Sequence, residues 1–185
     1  MKLSTKQIVT TGIILAICII SQFFKNLSVY ITGPIINACL VICLLSCGLA
    51  CALILSIITP ITAFFITGSP IISAVPMIMP FIMLGNAMLV IWIYCLNDRI
   101  AKGTSSSLPI SMVIGSIVKA VFMGVSISLW LIPSFLPKSP MAEKLMTKMP
   151  IFQQTFSFVQ LITAIVGCIY AYVIWIPLKK SFTNN

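Results

Sequence analysis

Lys119, Asn86, Gln160 and Thr59 are hydrogen-bonding residues embedded in four separate apolar stretches of this chain. Lys119 stands about 11 residues into the stretch Leu108 to Pro133, close to mid-membrane at about 1.5 Å of helix rise per residue. Counted the same way, Thr59, Asn86 and Gln160 fall near the midplane or in the outer half of a bilayer. The only acidic residues, Asp98 and Glu143, lie in apparent loops. A cation at bilayer depth with no carboxylate in any membrane segment is waiting for a partner from outside the chain. The chemistry on offer is recognition, because hydrogen-bonding groups from several helices at one depth can line a single pocket open to the exterior.

Reaction chemistry is not on offer. The sequence has no histidine and no carboxylate inside an apolar stretch, so neither a proton relay nor an acid/base pair can be assembled. There is no glycine-rich phosphate loop either. The reading is of a protein that is not an enzyme, has no cofactor and does not energise transport alone.

The elements that must position these residues follow from composition. A chain of 185 residues that is 60% hydrophobic and 7% charged, with mean hydropathy +1.18, is an integral membrane protein with no length left for a soluble domain. Met1 to Phe24 carries Lys2 and Lys6 ahead of an apolar run but lacks a small-x-small cleavage site, so it reads as a retained first span. Pro34 to Ile66 is too long for one span, since about 33 helical residues would extend roughly 50 Å against a core of about 30 Å. A break at Ser46-Cys47-Gly48 gives six spans, at 6–24, 34–47, 49–66, 78–96, 108–132 and 153–177, in one membrane domain. A break at Thr59-Pro60 would give five.

Basic residues favour six. That arrangement places Lys2, Lys6, Arg99, Lys102, Lys179 and Lys180 on the cytoplasmic side, against Lys25, Lys138, Lys144 and Lys148 outside. Both termini are then cytoplasmic, and the net charge of +9 reflects orientation rather than nucleic-acid binding. Pro60 becomes a mid-helix kink whose freed carbonyl needs an internal partner. Three outer connections are expected: Leu27 to Gly33, with Pro34 at the first helical position; Thr67 to Pro80; and the polar, proline-rich Pro133 to Pro150.

On the fifth span Met112, Ser116, Lys119, Met123, Ser126 and Trp130 recur on one helical face, opposite Ile, Val and Leu suited to lipid. On the last, Gln160, Thr163 and Gly167 form a comparable stripe. The competing explanation for Lys119 is snorkelling, for which mid-helix is a poor starting point. For Asn86, Gln160 and Thr59 it is helix-to-helix hydrogen bonding, and for Asn37 a cap or packing role. Cys39, Cys43, Cys47 and Cys51 read as small packing residues and not as a metal site, since no histidine or CxxC accompanies them. Gly12 and Ala16 are a small-xxx-small pair that suits either a partner helix or internal packing.

Several segments together resemble the substrate-binding S components of energy-coupling-factor (ECF) importers, across nearly the whole chain. They are Gly33-Pro34-x-x-Asn37, Gly48 through Thr59-Pro60, Pro80 to Asn86, Ser116 to Lys119, and Gln160 to Ala164. The resemblance implies an all-α bundle of six transmembrane helices that captures a vitamin-like micronutrient beneath its outer loops. It implies substrate contacts from Lys119, Asn86, Gln160, Thr59, Asn37, Ser116 and Thr163. It also implies docking on a coupling membrane subunit with two ABC-type ATPases, and in that family a small-residue motif on the first helix, here Gly12 and Ala16, meets the coupling subunit. Nickel and cobalt members carry a histidine near the N-terminus; its absence argues against a metal cargo.

The expected location is the cell membrane of a bacterium. Two other classes stay open at this point, a stand-alone facilitator or channel and a non-transport membrane scaffold in which Lys119 meets a partner's carboxylate.

Overall fold

The computed structural model describes residues 3–24, 29–100 and 107–183, with side chains of 98–100 and 180–183 left aside. The described residues are helical without a strand, and six helices are long and apolar enough to cross a membrane. The first is α1 (Thr5–Phe23), opened by a capping box in which Ser4 Oγ accepts from Gln7 N and Gln7 Oε1 accepts from Ser4 N. Next come α2 (Val29–Cys47) and α3 (Leu49–Thr67). The break between them falls at Gly48, whose φ of 89° and ψ of 174° belong to a region that only glycine occupies readily. Gln7 Nε2 reaches across to the Cys47 carbonyl at 2.9 Å, tying the start of α1 to that break.

A short helix α4 (Pro70–Ala74) leads into α5 (Ile78–Ile100), and α6 (Ser107–Met123) passes into a π-helical stretch, Gly124–Leu131. The chain then makes α7 (Ile132–Phe135), α8 (Ala142–Leu145), α9 (Met149–Phe156) and α10 (Phe158–Thr183). Helices α2, α3, α5, α6 and α10 close a ring, with α1 packed outside on α2 and α3. Because short connections make successive long helices antiparallel, the start of α1, the Gly48 break and the far end of α10 share one end of the bundle. We call it the terminal end, and the opposite one the loop end.

Side-chain polarity follows the ring. Ile8, Val9, Ile13, Ile17 and Ile20 of α1, and Ile110, Val113, Ile117 and Val121 of α6, are exposed, as a lipid-facing surface requires. Buried residues form two apolar clusters. One, in the terminal half, includes Leu40, Leu55, Leu89 and Ile93; the other, at the loop end, includes Ile72, Ile78, Ile127 and Leu136.

Three details differ from the sequence reading. Helix α2 begins at Val29, so Pro34 lies within the helix and not at its first position. That close to the start, proline removes only one helical hydrogen bond. The expected outer connection of Leu27 to Gly33 is therefore helical from Val29, and Lys25 and residues 26–28 lie outside the described residues, as do Lys2 and Lys102. The last span is interrupted at Ser157, with α9 and α10 on either side.

The third difference is the π-helical stretch. Ser126 Oγ donates to the Phe122 carbonyl at 2.5 Å, in competition with the helix's own amides, and Ile132 N donates to Ile127 O, five residues back. In that pattern the Ser128 carbonyl would take its proton from residue 133, but Pro133 has none to give. Gln153 Nε2 supplies it instead at 2.9 Å, while Ser128 Oγ donates to Gln153 O at 2.7 Å. The wider turn also rotates the face: Ile127 and Leu131 point inward, and Trp130, expected on the Lys119 face, is exposed and meets Phe81 edge-on at 6.1 Å.

Candidate binding site

A cavity of about 290 Å³ opens between the two apolar clusters towards the loop end. Its lining comes from α2, α3, α5, α6, α9 and α10 together with the α4 connection. Five of the residues singled out from the sequence line it: Lys119, Asn86, Asn37, Thr59 and Gln160. Depth along antiparallel helices brings them together, since Asn37 and Asn86 each lie about two turns inside the loop end, where Lys119 of the ascending α6 arrives.

Lys119 is 2% exposed and is held by two amides. Its Nζ donates to Asn37 Oδ1 at 2.6 Å and to Asn86 Oδ1 at 2.7 Å. No carboxylate reaches it among the described residues: Glu143 is exposed on α8. Two amide oxygens satisfy hydrogen bonds but carry no net charge, so the buried ammonium has no opposite charge beside it among the described residues.

Asn37 is placed by an unusually close helix contact. Gly167 of α10 faces it, and a β-carbon there would lie 2.6 Å from Asn37 Cβ and 2.7 Å from Pro34 O. Glycine therefore permits the α2 and α10 backbones to approach closely at the residue that holds Lys119. Thr59 Oγ1 donates to Leu55 O at 2.9 Å, leaving its oxygen as an acceptor at the cavity wall. Beside it, next to Pro60, the buried Gln22 Nε2 donates to the Thr59 carbonyl at 3.1 Å.

Ser116 and Thr163 do not line the cavity. Ser116 is buried one turn below Lys119, where its Oγ donates to Met112 O at 2.8 Å and lies 3.4 Å from Cys168 Sγ. Thr163 packs on Gly33 and donates to Gln160 O at 3.2 Å. Both expectations assumed that one helical stripe faces one space. Here each stripe crosses from the cavity into helix-to-helix packing.

Comparison with family models, with curated proteins and with solved structures finds no match.

Outer loops that include Thr67 to Pro80 are expected above the site from the sequence, but α9 is not part of that expectation. Ile151, Phe152, Thr155 and Phe156 of α9 cover the cavity, with Ile71 and Ile72 of α4 opposite. Pro150 in the first turn of α9 and the i, i+4 pairing of Ile151 with Thr155 and Phe152 with Phe156 were the available signals. Gly12 and Ala16 are exposed on α1, and among the described residues nothing lies within 4 Å of a β-carbon placed on Gly12.

Proposed function

We propose that this chain is the substrate-binding membrane subunit, the S component, of an ECF-type importer, and that it captures a small vitamin-like molecule in the loop-end cavity. The observation that carries the reading is the charged Lys119 at the base of a roofed, mostly apolar cavity with no carboxylate partner from the described residues. A site of this kind suits selective capture better than conduction, for which binding must be weak enough to let solute leave at both ends. With no histidine in the sequence and no carboxylate in its apolar stretches, neither a proton relay nor an acid/base pair can be assembled to drive transport. Energy then comes from partners, namely a coupling membrane subunit with two ABC-type ATPases. The exposed Gly12 and Ala16 on α1 offer a smooth strip against which a partner helix can lie.

In this reading the loop end faces outward and both termini face the cytoplasm of a bacterial cell, in line with the distribution of Lys and Arg. The chain itself catalyses no reaction. The test is to purify the full chain in mild detergent, identify co-purifying small molecules by mass spectrometry, and measure uptake in liposomes with and without the coupling subunit and ATPases. Capture without partners and uptake only with them is the expected result. Uptake by the chain alone would make it a facilitator, and the absence of any bound molecule together with no uptake would leave a scaffold.

A further inference from the structure

The two asparagines that hold Lys119 also fix which ligand chemistry the site accepts. An ammonium has only protons to offer, so each amide must turn its oxygen towards it, and each NH₂ group is left facing elsewhere. Among the described residues neither Asn37 Nδ2 nor Asn86 Nδ2 has an acceptor, and neither is sealed away from the cavity that both residues line. Lys119 has itself spent two of its three donors. The base of the cavity is therefore dominated by donors carrying one positive charge, with each amide oxygen already accepting from Lys119.

The walls above it are neutral. Ile36, Ile72, Ile82, Phe152 and Phe156 are among the apolar side chains that line it, and Gln160 is the largest polar side chain among the rest. Among the described residues no second charged side chain lines the cavity. A phosphate monoester would bring about −1.5 to −2 charges against a single ammonium and leave the excess buried. A carboxylate brings one charge and two oxygens able to accept several hydrogen bonds.

We infer that the ligand is a small monocarboxylate with an uncharged, largely apolar body, its carboxylate seated on Lys119 Nζ and the Nδ2 groups of Asn37 and Asn86. This rests on the reading of the cavity as a capture site. At about 290 Å³ the cavity is at the small end of ligand pockets, which matches a compact acid rather than a dinucleotide-sized molecule.

The test uses the full chain in mild detergent with phenylpropionate and hexanoate as probes, each beside its primary amide and its phosphate-monoester counterpart. Binding is read from saturable shifts in the unfolding midpoint, and molecules that co-purify are identified by mass spectrometry. The carboxylates are expected to bind at least about tenfold more tightly than their amides or phosphate counterparts. Asn86→Asp places a carboxylate of the chain's own beside Lys119 with little change of shape. It should abolish that preference while the protein unfolds at no lower temperature; Lys119→Met should abolish it as well. Equal binding of acid and amide, or a neutral or cationic co-purifying molecule, overturns the carboxylate assignment and leaves capture standing. If nothing co-purifies and no probe shifts unfolding, both fail together.

Discussion

Gly167 stands so close to Asn37 that a β-carbon built on it would lie 2.6 Å from the asparagine's own, and the Lys119 ammonium rests on that same asparagine at 2.6 Å. A glycine on α10 with no polar atom in its side chain thus sets the position of a charge on α6. Packing between two helices and polarity at the base of the cavity are one arrangement here.

Gly167→Ala should therefore act on the site without touching it. Forcing the methyl group in must move α2 from α10, at a cost of about 1–3 kcal/mol for overpacking. Thermal unfolding in detergent measures the loss, and ligand capture should fall with it. Wild-type stability in this variant would show that the two backbones part without strain.

Asn86→Leu removes one of the two oxygens that Lys119 uses, leaving the buried ammonium under-coordinated. The expected cost is about 1.5–3 kcal/mol, as for other hydrogen bonds to charged groups. Adding Lys119→Met to Asn86→Leu should recover part of this loss, because the buried charge then disappears with its partner. A double variant less stable than Asn86→Leu would contradict this account of Lys119.

Gly48→Ala tests the helix break. At φ 89° and ψ 174° an alanine is strained, and about 1–3 kcal/mol of destabilisation is expected. Gln7→Leu removes the hydrogen bond to the adjacent Cys47 carbonyl and should cost about 1 kcal/mol. Additivity of the two, measured by unfolding, would mean that tie and break are independent; we expect coupling, since both fix one turn.

Ser128→Ala and Gln153→Leu each remove part of the reciprocal pair that fastens α9 to the π-helical stretch. Amide hydrogen exchange over 149–156 should speed up in either variant, while α2 and α3 stay protected. Unchanged exchange in α9 would show that apolar contacts alone hold the roof in place.

Much of this could be read from residue order. Apolar length required a break between Pro34 and Ile66, and the break stands at Gly48 and not at Pro60, because a proline can sit inside a kinked helix whereas the backbone at Gly48 admits almost nothing but glycine. Counting depth from helix ends brought Lys119, Asn86 and Thr59 to one level. What stayed hidden depended on how helices turn against each other. Asn37 looks like a cap when Pro34 is taken as a helix start, and becomes a partner of Lys119 once α2 begins at Val29. Ser116 shares a stripe with Lys119, yet one turn is enough to place it against Cys168. The π-helical turn displaced Trp130, and the proline-rich stretch before Phe156 concealed an amphipathic helix behind its polarity.

The fastening between Ser128 and Gln153 has a kinetic side. Each residue offers a side chain to the other's backbone, so rotating one side chain away does not release α9; both hydrogen bonds must break before it lifts. For anything held beneath Phe152 and Phe156, departure towards the loop end then waits on that event. In a capture protein the roof would then contribute to residence time, beside the contacts at Lys119.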